Sequence, residues 1–308
     1  MTVALREARI ARPLRPGRVA LHAFLILMAV LWLFPLVWAF YSSLRPFDET
    51  IHRGSVSWPS ALNFNNYVSV WNDAQLPYYY VNTLVVVIPG VLLTLLLSSI
   101  IAFAVTQFSW RFNLIVLMLF TAGNLLPPQV IIIPLYWIYL NTPIPSLGSI
   151  DIGSFSFAVF SDNGLLYDQY IGVILIHVVF QTGFCTFVLS NYMKTISKEL
   201  TESALVDGAS VFQIWRRITL PLCRPALAAL ATLEFTWIYN DFFWALILIS
   251  KGYKRPITSA LNNLSGQYFT DYNALAAVSM LAAIPPIIVF ILLQKQFVRG
   301  LTLGATKG

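Results

Sequence analysis

Residues 199–221 read ELTESALVDGASVFQIWRRITLP, and their reading decides the fold around them. They form a polar island between two long apolar stretches, 170–193 and 221–249. Ser197 stands at an N-cap position, and Glu199 and Glu202 fall in the first turns, where acidic groups complement a helix dipole. Ala204, Gly208, Val211, Phe212 and Trp215 recur at three- and four-residue spacing. That periodicity predicts one short helix over 199–216 with an apolar stripe. Arg216 and Arg217 close it at the negative end, and Leu220-Pro221 is expected to halt it and turn the chain into the next apolar stretch. Ala204 and Gly208 are small enough to let another backbone approach, and Gly208 would also allow a bend between two shorter helices. Two uses are open: a rigid knob on which another protein docks, or an amphipathic helix lying on lipid.

The composition outside this island excludes a water-soluble domain. Of 308 residues, 58% are hydrophobic and 10% are charged, where soluble domains carry about 25% charged residues. Mean hydropathy is +0.72. The chain reads as an all-α membrane protein with six membrane-spanning helices, at roughly 22–43, 82–106, 112–140, 170–193, 221–249 and 272–296. The third is overlong and holds Pro127-Pro128 and Pro134, so it is expected to kink or to leave the membrane before Tyr136. Residues 1–21 and 297–308 flank this domain as short cytoplasmic segments.

Lys and Arg set the orientation. Arg6, Arg9, Arg12, Arg15 and Arg18 precede the first span, Arg111 lies between the second and third, and Lys194, Lys198, Arg216 and Arg217 lie between the fourth and fifth. Arg224 opens the fifth span, and Lys295, Arg299 and Lys307 follow the sixth. These fall on one side, which places both termini and residues 199–216 in the cytoplasm. On the other side are Arg45 and Arg53, none from 135 to 169, and then Lys251, Lys254 and Arg255, a cluster that runs against the rule. The N-terminal run resembles a signal peptide in outline. Its apolar stretch is too long, and Phe40-Tyr41-Ser42-Ser43 is a poor cleavage site, so an uncleaved span is expected. Trp32, Trp38 and Tyr41 suit interfacial anchoring toward its outer end. Outside, 44–81 holds an amphipathic piece around Tyr67, Val70 and Trp71, and 141–169, rich in Gly, Ser and Asp, reads as an ordered loop or short hairpin.

Glu202, Ala204, Gly208, Ile218, Leu220 and Pro221 match at every spacing the E-A-A-x3-G-x9-I-x-L-P signature of the membrane-spanning subunits of binding-protein-dependent ABC importers. Ser203 stands where that family usually has Ala. The tail Phe297–Gly308, the run Trp237-Ile238-Tyr239-Asn240-Asp241-Phe242, and Asn82-Thr83-Leu84 are similar to carbohydrate-importer permeases of the maltose-permease type. The resemblance implies a permease in a bacterial or archaeal inner membrane that forms half of a path for a sugar-like solute. It implies a second homologous permease, two ATPase subunits carrying ATP and Mg, and an external solute-binding protein. ATPase coupling would fall on Glu202, Ser203, Ala204, Asp207, Gly208, Ile218, Leu220 and Pro221. The resemblance says nothing about 141–169.

Charged groups inside a span are costly and usually face a cavity or a partner. Glu234 lies mid-span, with Tyr239, Asn240 and Asp241 about two turns outward; Glu234 and Asp241 are seven apart and share a face if the helix is continuous. They either line the solute path or bond to a neighbouring helix. His177 and Gln181 share a face of the fourth span, as packing groups or as solute contacts. Asn124 either satisfies carbonyls freed by the proline kink or touches solute. Cys185 and Cys223 read as inert packing residues. No metal-ligand spacing, P-loop, or nucleophile–base pair is present, so neither catalysis nor a cofactor on this chain is expected, nor any nucleic acid partner. The competing reading is an ion-coupled secondary transporter using Glu234 and Asp241. It would call for inverted repeats, which the sequence does not display, and it leaves 202–221 without a role.

Overall fold

The computed structural model describes residues 16–58, 60–73, 75–108, 111–123, 127–152, 155–261 and 271–302. Four helices among them are long and apolar enough to cross a membrane: α1 (Pro16–Ser43), α4 (Leu76–Gln107), α7 (Tyr170–Met193) and α14 (Tyr272–Thr302). Two broken pairs raise the number to as many as six. One pair is α5 (Asn113–Gly123) with α6 (Pro128–Asn141); the other joins residues 211–222 to α11 (Arg224–Tyr239) across a 75° bend.

The α4–α7 pair is the centre. Ala102, Cys185 and Thr186 are fully enclosed, and Ser98 Oγ donates to the Thr182 carbonyl at 3.2 Å across the seam. Small and hydroxylated side chains let two apolar helices approach where lipid supplies no hydrophobic drive between them. At the N-terminal end of α7 Tyr170 Oη donates to Asn82 Oδ1 at 2.9 Å, while Asn82 Nδ2 donates to the carbonyls of Tyr253 and Arg255. Gly172 is required here, since a Cβ would lie 2.7 Å from the Leu166 carbonyl oxygen. α11 packs against α4 and α14, with Tyr239 Oη donating to the Ala282 carbonyl at 2.9 Å. α1 is peripheral: it packs on α14, and none of its apolar window is buried, against 56% for α7.

One end carries α2 (Phe47–Arg53), α3 (Asn65–Asn72), α12 (Phe243–Leu248), α13 (Ile257–Ala260) and an antiparallel hairpin of β1 (Ser146–Ile152) and β2 (Phe155–Phe160). Ile150 pairs with Phe157, whose ring is buried against Tyr170. Of the two readings of 141–169, ordered loop or short hairpin, the structure has the hairpin, and α3 contains the amphipathic piece, with Val70 buried. The other end carries α8 (Lys198–Val206), α9 (Val211–Ile214) and α10 (Leu220–Leu222).

Several boundaries differ from the sequence reading. The third segment breaks before Pro128, which takes a first-turn position where its missing N–H costs nothing, while Pro134 stays inside α6 and the helix runs past Tyr136. The fifth segment does not run to 249: α11 ends at Tyr239. α4 starts six residues before 82, and α14 continues to Thr302. The tail beyond Thr302 lies outside the described residues.

Candidate functional site

Residues 199–216 are not one helix but two, broken at Gly208, where the sequence allows a bend. Ser197 caps α8 as expected, its Oγ accepting from the Glu199 N–H at 3.2 Å. Gly208 then adopts φ +80. The Ala209 N–H reaches the Ala204 carbonyl at 2.9 Å and the Gly208 N–H reaches the Leu205 carbonyl at 3.1 Å, a left-handed C-terminal cap that satisfies the last carbonyls. Ser210 restarts the chain: Gln213 N donates to Ser210 Oγ, and Ser210 N donates to Gln213 Oε1 at 2.8 Å. This reciprocal capping box went unread because its apolar continuation is only four residues long. Leu220-Pro221 does not halt the helix. A π-helical stretch, Trp215–Thr219, carries the chain through α10, and the turn comes at Cys223. Pro221 directly follows the π-helical stretch, at the start of α10.

The connector has two faces. Ala204, Ile214 and Trp215 are buried in one cluster with Ala102 and Phe103 of α4, Leu189 and Met193 of α7, and Leu230 of α11. Ala204 is therefore an anchor to this chain's own helices. The opposite face leaves Val206 87% and Phe212 61% exposed, with Glu202, Ser203, Asp207 and Gly208 beside them. Ile218, Leu220 and Pro221 are half-buried behind it. A rigidly rooted element that presents apolar side chains to solvent has the form of a docking knob.

The polar groups inside the spans are mostly tied to this chain. Glu234 is fully enclosed: Cys185 Sγ donates to its Oε1 at 3.1 Å, and Oε2 has no partner among the described residues. Cys185 is thus a hydrogen-bonding partner, not merely a packing residue. Glu234 and Asp241 do not share a helix face, because α11 stops between them. Asp241 caps α12, accepting from the N–H groups of Trp244 and Ala245, and lies 3.5 Å from His177 Nε2. Tyr239 is buried on the Ala282 carbonyl. Asn240 and Trp237 are exposed, and Gln181 is half-buried. Asn124 lies outside the described residues.

A further cluster was legible only as an anomaly, the Lys251/Lys254 excess on the wrong side. Lys254 Nζ lies 2.8 Å and Lys251 Nζ 3.0 Å from Asp162 Oδ2. Asp168 Oδ1 accepts from the Ser250 and Lys251 N–H groups, and Gln169 Nε2 donates to Asp162 Oδ1 at 2.6 Å. Partial burial pushes the Asp162 carboxyl up, but the hydrogen bonds from Lys254, Gln169 and Lys251 outweigh it and hold it well below the usual carboxylate range. The clamp ties the hairpin and the start of α7 to the α12–α13 loop, and it pairs two of the three charges that ran against the positive-inside rule, Lys251 and Lys254.

The chain is 32% identical over 292 residues to the probable ABC transporter permease protein YurM of Bacillus subtilis, covering 95% of this chain and 89% of that one. It is 28% identical over 295 residues to the arabinooligosaccharides transport system permease protein AraQ of the same organism, covering 94% and 96%. Its fold matches a chain of a bacterial ABC transporter involved in the import of alginate, with TM-score 0.74 and 22% identity over 96% of this chain and 100% of that one. Such relatives are transport components and not enzymes. Residues 94–303 match the family described as binding-protein-dependent transport system inner membrane component, and the chain belongs to that family.

Proposed function

We propose that this chain forms half of the translocation path of an ABC importer for a sugar or related solute. The observation that carries the reading is the connector 198–223, rooted in α4, α7 and α11 and presenting an exposed apolar knob. Movement of a docked ATPase would reach the spanning helices through that root, since close-packed side chains transmit displacement. Glu202, Ser203, Asp207 and Gly208 form the docking surface with Val206 and Phe212; Ala204, Ile218, Leu220 and Pro221 hold it in place. ATP and Mg would sit on two partner ATPase subunits, and a second permease would complete the path.

Support for a sugar comes from relatives named for arabinooligosaccharide, alpha-glucoside and diacetylchitobiose transport. An alginate transporter solved with its pentasaccharide-bound periplasmic protein has a similar fold, at TM-score 0.64. It supports an external solute-binding protein as a partner. The hairpin and the lysine–aspartate clamp lie on the end away from the connector, where such a protein would arrive. Six spans with both termini cytoplasmic fit this arrangement. Exposed Asn240 and Trp237 are the path-lining groups this conformation favours, while Glu234 and Tyr239 act in packing.

The test is ATP hydrolysis by the complete reconstituted importer, with its binding protein, across a panel of mono- and oligosaccharides. Stimulation by one sugar class is expected. Uptake by the wild type that needs no ATP and collapses with an ionophore would instead establish ion-coupled transport.

A further inference from the structure

Arg45 carries a full charge into a nearly closed setting. It lies two residues past the end of α1 and is 1% exposed. Its Nη1 donates to the Ser55 carbonyl at 2.8 Å, and its Nη2 to the Gly54 carbonyl at 3.2 Å and to Ser57 Oγ at 2.6 Å; the guanidinium also lies 5.5 Å from the Tyr41 ring centre. These partners are neutral. Its Nε–H has no partner among the described residues. Glu49 attracts it from beyond ion-pair distance but spends its oxygens on Ser60 and Arg53. An enclosed guanidinium with an idle donor and no contacting carboxylate among the described residues is costly unless an anion completes it.

The space for that anion is present. A cavity of about 390 Å³ opens between α1 and α14, lined by Arg45 with the polar residues Ser42, Thr50, Ser55, Asn273 and Ser279. Trp38 and exposed Tyr272 also line it, at the level where aromatic side chains mark a membrane–water boundary. The apolar faces of α1 and α14 run on below it, both largely uncovered in this chain. We infer that this cavity binds the phosphate of an outer-leaflet phospholipid, with Arg45 as the charge partner and the lipid chains lying along α1 and α14. The planar guanidinium can donate to two oxygens of a tetrahedral phosphate and opposes its charge, and the serine and threonine hydroxyl groups of the lining suit an oxygen-rich anion. The inference rests on α1 crossing the membrane and not on which solute is carried.

The experiment uses the complete importer purified in mild detergent, with retained phospholipids counted by native mass spectrometry through graded detergent washes. Two variants are compared with the wild type. Arg45→Gln removes the charge. Ser279→Phe fills the cavity from an exposed helix position whose hydroxyl bonds only its own Leu275 carbonyl, so the Arg45 contacts survive. The wild type should retain one phospholipid per importer more than either variant, and millimolar inorganic phosphate should not displace it. Equal retention by the wild type and Ser279→Phe would overturn the site, even if Arg45→Gln fails to assemble. Displacement by inorganic phosphate would assign the cavity to a free anion and overturn the lipid. A partner permease carboxylate found against Arg45 in the assembled importer would overturn it as well. Failure of the sugar assay leaves every one of these outcomes readable.

Discussion

Gly208 answers two demands that substitution can separate. Its φ of +80 excludes a β-carbon without strain, on the order of 1–2 kcal/mol. Among the described residues nothing lies within 4 Å of where that carbon would sit, so the space there is open. Gly208→Ala and Gly208→Leu should therefore lose similar stability in thermal melts of the isolated chain. Only Leu should abolish co-purification of the ATPase, because only its branched end would enter the docking surface. Equal co-purification by both variants would remove docking from the account. The carboxyl of Glu234 poses the opposite case, a polar group with too few partners. Cys185→Val deletes the one hydrogen bond its Oε1 receives and should cost about 1–3 kcal/mol of stability, with solute preference unchanged. A shifted preference in a sugar-uptake panel would place Glu234 in the path after all.

At the scale of elements, the connector works because each of its two helices is capped on its own. Phe212 projects from α9 while Ile214 and Trp215 hold α9 to the spans. Phe212→Asp should leave insertion and melting temperature intact and reduce ATPase co-purification at least tenfold, an effect of about 1.4 kcal/mol or more. Asp241 is a comparable device in α12. Asp241→Ala should destabilise by about 0.5–2 kcal/mol through loss of the cap, whereas Asp241→Asn, which keeps one acceptor oxygen where Asp offers one to each N–H, should lose only part of that. Matched melts of the two variants check this, and equal loss in both would point to the His177 contact instead of the cap. The two-helix connector was half legible: its spacing marked the amphipathic stripe and Gly208 allowed for a bend, but whether the glycine takes the left-handed geometry that makes the break is decided by the fold.

Across the whole molecule, the clamp joins Asp162 and Asp168 to Lys251 and Lys254 over more than eighty residues of chain. Asp162 has a folded pKa below its unfolded value of about 3.9. Its contribution is therefore fully present above the unfolded value and is lost as pH falls through the folded one. Lys254→Met should lower the melting temperature at neutral pH, and the gap to wild type should narrow below about pH 4. A gap that stays constant with pH would mean that Lys254 stabilises by packing alone. The orientation is also a property of the whole chain: a reporter in the hairpin should be active only outside the cell, and one at the C-terminus only inside.

The apolar runs, their lengths, the placement of Lys and Arg, and the 202–221 spacing are local properties, and they carried the membrane class, the transport family and the position of the connector. Where the helices break is less local. Pro128 could be read because proline acts on its own turn, whereas the ends at Cys223 and Tyr239 depend on what α11 packs against. The helices that cross are apolar on most faces, so no periodicity tells which side is enclosed. That is why Glu234, Tyr239, Asn240 and Asp241 looked equivalent in sequence, and only tertiary packing separated the buried Glu234 and Tyr239 from the exposed Asn240. The same holds for the pairings Cys185–Glu234, His177–Asp241 and Lys254–Asp162. Each joins groups dozens of residues apart, and the free energy of placing them together comes from helix packing that no short window of sequence contains.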